Sequence, residues 1–203
     1  MRSSAAALAA GVLAIAIAQA QVQPASTAAP PGAAACMECH GPQGNSTLPA
    51  MPSIAGQPRV FIENQLVLIR EGLRDVPAMK AVMGGLNDEE IVALARYFSA
   101  QTALPPPGEV QAGRFAAGAQ VSRRALCGTC HLPSYAGQNQ VPRLAGQNEA
   151  YLALTMKMYR DKPAPGRDTA MSAALYGLGD ADLENLAHYL AHYLAHHLAQ
   201  QVK

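Results

Sequence analysis

All four cysteines of this chain sit in two copies of one five-residue pattern, Cys36-Met37-Glu38-Cys39-His40 and Cys127-Gly128-Thr129-Cys130-His131. Both read C-x-x-C-H, the signature of covalent c-type haem attachment. Two thiols add to two vinyl groups, the two intervening residues set the sulfur separation, and the adjacent histidine is delivered beneath the iron as its proximal ligand. The competing readings explain less. A redox dithiol does not need histidine at the next position, and no βαβ pattern surrounds either copy. One zinc ion could join all four thiolates, but both histidines would then have no role. The pattern therefore calls for two haem c groups, bound through Cys36, Cys39, Cys127 and Cys130, with His40 and His131 on the two irons.

The motifs are markers of a larger duplication. Pro52-Ser53-Ile54-Ala55-Gly56-Gln57 matches Pro142-Arg143-Leu144-Ala145-Gly146-Gln147, and Arg70 matches Arg160. Leu86, Asp88, Leu94, Ala95 and Tyr97 match Leu178, Asp180, Leu186, Ala187 and Tyr189. The offset drifts only between 90 and 92 residues, as small loop indels in a tandem repeat would leave it. Each repeat reads as helical. Val60, Phe61, Leu66, Leu68 and Ile69 lie in one amphipathic stretch, mirrored by Tyr151, Leu152, Leu154, Met156 and Tyr159. Asn87 with Glu90 three residues on predicts a capped helix from Asp88 to Gln101, and its partner should begin near Gly179 or Asp180. The Gly- and Pro-rich stretches 41–58 and 163–166 read as loops that wrap the haem, and no period-2 strand is evident. The expected architecture is all-α: two tandem domains, each around one covalent haem.

Domain limits follow from composition. Residues 1–20 read as a secretory signal: Arg2, then an apolar run from Ala5 to Ala18, then Ala18-Gln19-Ala20 as an A-x-A cleavage site. Export after cleavage behind Ala20 predicts a periplasmic location. The first domain should span 21–103 and the second 111–203, with the Pro-rich residues 104–110 as an extended linker. A net charge of +1 gives no electrostatic footprint for nucleic acid. No apolar run reaches the roughly 18 residues expected of a membrane span. Aromatic residues make up 5% of the chain and Trp is absent. Such a chain has little bulk for two small cores, and an apolar haem plate would supply it.

An electron-carrying haem needs a second axial ligand, and His/Met is the usual c-type pair. Met79 and Met171 share the repeat offset, each seven residues before its leucine, Leu86 or Leu178. Met83 is the rival, but its counterpart is Leu175. Met156 and Met158 pair with Leu66 and Leu68 on a helix face and read as core. The first repeat has no histidine outside its motif, so bis-His ligation cannot serve both irons. Pro52 and Pro142 fit a supporting role, because an iron-bound imidazole donates its other N–H to an acceptor such as a backbone carbonyl. A plain turn proline is the alternative reading.

On these residues the chain resembles the di-haem cytochromes c4, which carry two class I cytochrome c domains in tandem. The resemblance implies His40 with Met79 and His131 with Met171 as axial pairs, and Pro52 and Pro142 as histidine-orienting carbonyls. It implies haems facing one another across a pseudo-twofold interface. It also implies single-electron transfer between respiratory partners, from a quinol-oxidising complex toward a terminal oxidase, by a carrier rather than an enzyme. The alternative function is the cytochrome subunit of a periplasmic dehydrogenase of flavocytochrome or quinoprotein type. A di-haem peroxidase is disfavoured by two matched Met ligands. Loose membrane association is compatible with the sequence, and the oligomeric state is not legible in it.

Two departures from the family pattern stand out. A helix should precede each haem motif. Phe115 to Leu126 supplies it in the second repeat, with Gly118 suited to close packing, whereas Pro30-Pro31-Gly32 leaves it short or missing in the first. The last helix also runs on to about Gln200 with His188, His192, His196 and His197 on one stripe. That stripe reads as a solvated face, with metal binding or a pH-sensitive surface as the functional alternatives.

Overall fold

The computed structural model describes residues 28–162, 166 and 168–201. The expected signal segment and most of the 163–166 loop lie outside them. The described residues hold helices, one 3₁₀ turn at Pro42–Gly44 and a single isolated bridge between Gln138 and Val141. The all-α expectation is met. None of these helices is long and apolar enough to cross a membrane.

The first half contains α1 (Ala33–His40), α2 (Arg59–Arg70), α3 (Pro77–Met83) and α4 (Asp88–Ser99). The second contains α5 (Ala112–Arg124), α6 (Cys127–His131), α7 (Glu149–Asp161), α8 (Thr169–Leu175) and α9 (Asp180–Gln201). The two halves repeat one order: motif helix, amphipathic helix, short helix, long helix. Only α5 lacks a counterpart. Pro30, Pro31 and a left-handed Gly32 (φ 85°) precede α1, so only residues 33–35 of the helix lie ahead of the haem motif. The short helices α3 and α8 are not legible as helices in the sequence. At seven residues each they are below the length at which periodicity is informative.

The long helices begin where local chemistry tells them to. In α4, Asn87 Oδ1 accepts from Glu90 N at 2.9 Å and the Glu90 carboxylate accepts from Asn87 N at 2.9 Å. Asp88, Glu89 and Glu90 add negative charge to the positive end of the helix dipole. Its buried face is Ile91, Leu94, Ala95 and Phe98, spaced i, i+3, i+4, i+7. In α9 the same face recurs as Leu183, Leu186, Ala187 and Leu190, with Ala191 also buried. The α5 helix packs against α9, and Gly118 lets the two backbones approach at Asn185. A second core therefore gathers around Val121, Leu152, Met156 and the α9 leucines, while the first core around Ile62, Leu94 and Phe98 is smaller.

The loops after the haem motifs are pinned identically. Gly44 O accepts from Ile54 N and Ala55 N at 2.8 and 3.0 Å. Tyr135 O accepts from Leu144 N and Ala145 N at 2.9 and 3.1 Å. Both residues have positive φ, 83° and 54°. At position 44 only glycine fits, because a Cβ would stand 2.9 Å from Phe98 Cδ1 and from Ala55 N.

The halves dock through these loops by buried polar pairing. Gln147 Oε1 accepts from Ser53 N at 2.7 Å while its Nε2 donates to Ser53 O at 2.9 Å. Reciprocally, Gln57 Oε1 accepts from Arg143 N at 2.9 Å and its Nε2 donates to Arg143 O at 3.0 Å. Asn148 Nδ2 adds bonds to the carbonyls of Ser46, Leu48 and Met51. The glutamine pairs are the same residues of the two repeats exchanged, so the interface has pseudo-twofold symmetry.

Candidate functional site

Each C-x-x-C-H occupies a helix, α1 or α6, that ends at its histidine. The following residue, Gly41 or Leu132, has positive φ (76° and 67°) and turns the chain away. All four cysteines are free thiols; Cys36 and Cys127 are half-buried and Cys39 and Cys130 are exposed. Burial pushes the Cys36 and Cys127 thiols above their ordinary range. Neither motif closes a disulfide, so both sulfurs of each pair remain open to a covalent partner.

His40 and His131 are buried at 7% and 4% exposure. His40 Nδ1 donates to Pro52 O at 2.7 Å, and His131 Nδ1 donates to Pro142 O at 2.8 Å. Each bond fixes the tautomer, so the proton sits on Nδ1 and Nε2 is left as the Lewis base. Burial lowers both imidazole pKa values, more than the proline carbonyls raise them. Both rings are thereby kept neutral, the form that ligates a metal.

Met79 and Met171 are half-buried on α3 and α8. Met83 and its counterpart Leu175 are both buried at 2% exposure. The rival methionine thus occupies a core position that its repeat fills with leucine. The Met-bearing segments are closed at both ends by matching arginines. Arg70 Nη1 donates to Leu86 O at 3.2 Å and to Asp88 Oδ1 at 2.8 Å. Arg160 donates to Leu178 O at 2.8 Å and to Asp180 Oδ1 at 2.7 Å. This clamp ties α2 to the start of α4, and α7 to the start of α9, with the methionine loop between.

Arg143 tests the fit of a haem independently. Its guanidinium is buried, and burial pushes its pKa down to about 10. It donates to the carbonyls of Ala145 and Ala55, and its Nε has no partner among the described residues. A buried cation facing only neutral dipoles is costly. A haem carries propionates, negative groups of the kind that would neutralise such a cation. Free thiols, neutral imidazoles, half-buried thioethers and this cation together suit the group.

Two of the four α9 histidines depart from the solvated stripe expected of them, while His197 is exposed as expected. His188 and His192 are buried at 1% and 4% exposure. The neighbouring α5 covers that face, which the first repeat could not foretell because it has no such helix. His188 Nδ1 lies 2.8 Å from Glu149 Oε2, and its Nε2 accepts from Gln111 N at 3.0 Å. Arg114 Nη2 donates to the other Glu149 oxygen at 2.7 Å, and His192 Nε2 is 3.7 Å from Glu149 Oε2. With Gln111 N–H on Nε2, the His188 proton must sit on Nδ1 between ring and carboxylate. The nitrogen that could have faced a cation is thereby engaged, and the cluster serves as a polar joint between α5, α7 and α9. His196 stacks on Phe115, with centroids 4.5 Å apart.

Sequence reasoning missed Gln57, Gln147 and Asn148 as interface residues. The signal was present: glutamine ends both P-x-x-A-G-Q segments, the same polar choice in both repeats where nothing local requires it.

Comparison with known proteins agrees with this geometry. The family model described as Cytochrome c matches residues 115–193, and that described as Cytochrome C oxidase, cbb3-type, subunit III matches residues 32–98. A cytochrome c4 of Thiocapsa roseopersicina is 30% identical over 76% of this chain and 85% of its own length. A thiosulfate dehydrogenase electron acceptor of Thiomonas intermedia is 32% identical over 82% of each chain. The crystal structure of reduced recombinant cytochrome c4 from Pseudomonas stutzeri is similar with a TM-score of 0.72 at 28% identity, covering 79% of this chain and 95% of that one. Two covalently bound haem c groups are thus shared features, one for each C-x-x-C-H.

Proposed function

Because the chain belongs to the di-haem cytochrome c4 family, we propose that it is a periplasmic carrier passing single electrons from a quinol-oxidising complex toward a terminal oxidase. It transfers electrons and is not an enzyme. In this reading residues 21–103 and 111–203 are the two haem domains, 104–110 the linker, and cleavage follows Ala20. His40 with Met79, and His131 with Met171, are the axial pairs.

The observation that carries the reading is the matched pair of imidazoles, each buried and tied at Nδ1 to the carbonyl of Pro52 or Pro142. When bound, haem c supplies one-electron ferric–ferrous chemistry. The protein's own residues do the rest. Pro52 and Pro142 hold each ring at one angle, so a change of charge at the metal needs little reorganisation. Met79 and Met171 offer neutral thioethers, which favour the reduced state relative to a second imidazole. The clamps at Arg70 and Arg160 hold those thioethers in place through both redox states.

A second reading has its own support. Two relatives are thiosulfate dehydrogenase electron acceptors, so the donor could be a dehydrogenase to which this chain docks as a subunit. Affinity purification of the holoprotein from periplasm and solubilised membrane separates the two. Recovery with an oxidase, and rapid oxidation by it, is the expected result. A stable complex with a dehydrogenase, and no turnover by an oxidase, would reject the oxidase route.

A further inference from the structure

We propose that Gln147 and Gln57 each tune the reduction potential of the haem in the opposite domain, acting through the peptide unit that receives the axial histidine's N–H. The inference rests on the axial assignment of His40 and His131 given above.

The relay is continuous on both sides of the interface. His40 Nδ1 donates to Pro52 O, and the N–H of that same peptide unit belongs to Ser53, which donates to Gln147 Oε1 at 2.7 Å. His131 Nδ1 donates to Pro142 O, and the N–H of that peptide unit belongs to Arg143, which donates to Gln57 Oε1 at 2.9 Å. The glutamine orientation is not free. Gln147 Nε2 donates to Ser53 O and Gln57 Nε2 to Arg143 O, so each amide is held at both ends and must present its oxygen to the relay. Gln147 Oε1 accepts a further bond from Asn148 N at 2.9 Å. Gln57, Gln147, Ser53 and Arg143 are all buried, at 3 to 6% exposure.

The direction of the effect follows from amide resonance. An acceptor on a peptide N–H draws electron density through C–N onto the carbonyl oxygen, and linked bonds in a low-dielectric interior polarise one another. Pro52 O and Pro142 O therefore become stronger acceptors. The axial imidazole gains basicity, which favours the ferric state and lowers the potential. Because the glutamine comes from the other domain, each iron's ligand is sensitive to how the two domains are docked. Gln57 and Gln147 are thus positioning residues that act through Pro142–Arg143 and Pro52–Ser53.

The test uses the holoprotein with each haem's potential read separately, by redox titration followed through haem-methyl NMR signals assigned domain by domain. Gln147→Leu should raise the potential of the His40 haem and move the His40 Nδ1–H resonance upfield, with the smaller change at the His131 haem. Gln57→Leu should do the reverse. This crossing separates the relay from local damage, which would fall on the haem of the mutated domain. Gln147→Glu, studied where the carboxyl is protonated, keeps one acceptor and one donor and should restore the parent potential if the leucine variant docks poorly. Shifts confined to the mutated domain, or no shift, would overturn the relay while leaving the ligands standing. Failure of His40→Ala to change ligation of one haem would instead overturn the axial assignment.

Discussion

Gly118 lies so close to Asn185 that a Cβ on the glycine would stand 2.1 Å from the Asn185 carbonyl oxygen and 2.6 Å from Tyr189 Cβ. The contact is backbone against backbone, so no side-chain rotation relieves it. Gly118→Ala should therefore destabilise the second domain by about 1–3 kcal/mol, the range for overpacking a closed contact. Gly113→Ala, where a Cβ meets nothing within 4 Å, is the control and should be neutral or slightly stabilising. Denaturant midpoints of the two variants check this.

With Met79 and Met171 as the proposed axial ligands, one to each iron, Met79→Ala and Met171→Ala should each remove about half of the long-wavelength Met-to-iron absorption. Met83→Leu should leave that band whole and cost less than about 1.5 kcal/mol, because position 83 is buried packing that the second repeat fills with Leu175. Loss of the band in Met83→Leu would reverse the assignment.

Arg143 brings a buried positive charge into the interface beside the Pro142 peptide. A cation there disfavours the ferric iron. Arg143→Met should lower the midpoint potential of the His131 haem while keeping the backbone N–H that Gln57 accepts. Potentiometric titration of parent and variant checks the sign.

Acid should weaken the α5–α7–α9 joint in two steps. Burial holds the His192 imidazole below its ordinary 6.5, with His188 and Arg114 adding to the effect and Glu149 opposing it. A folded value below the unfolded one means the contribution is whole above about pH 6.5 and is lost as pH falls through the folded value. Glu149 is raised by burial, but the bonds from His188 and Arg114 together outweigh this and leave it below 4.5. Its contribution is whole above about pH 4.5 and is lost on further acidification. Urea midpoints should fall in both windows, with His192→Asn flattening the upper one and Glu149→Gln the lower.

How much of this could be read from the sequence varies by kind of interaction. The Asn87–Glu90 cap, the α9 start at Asp180 and the close-packing role of Gly118 are local signals, and the chain spells them out. The repeat offset by itself sets Met79 and Met171 apart from Met83, whose counterpart is a leucine. What stayed hidden depends on neighbours distant in sequence. His188 and His192 looked solvated because their burial is imposed by α5 and by Glu149, 39 residues from His188. The glutamine exchange joins residues 86 and 94 apart, and a polar residue in a loop gives no sign of the partner it will meet.

The most direct test of the central claim is the alkaline pyridine spectrum of correctly matured protein, quantified against polypeptide. Two c-type haems per chain are expected, one at Cys36 and Cys39 and one at Cys127 and Cys130. A value of one or fewer would contradict the claim.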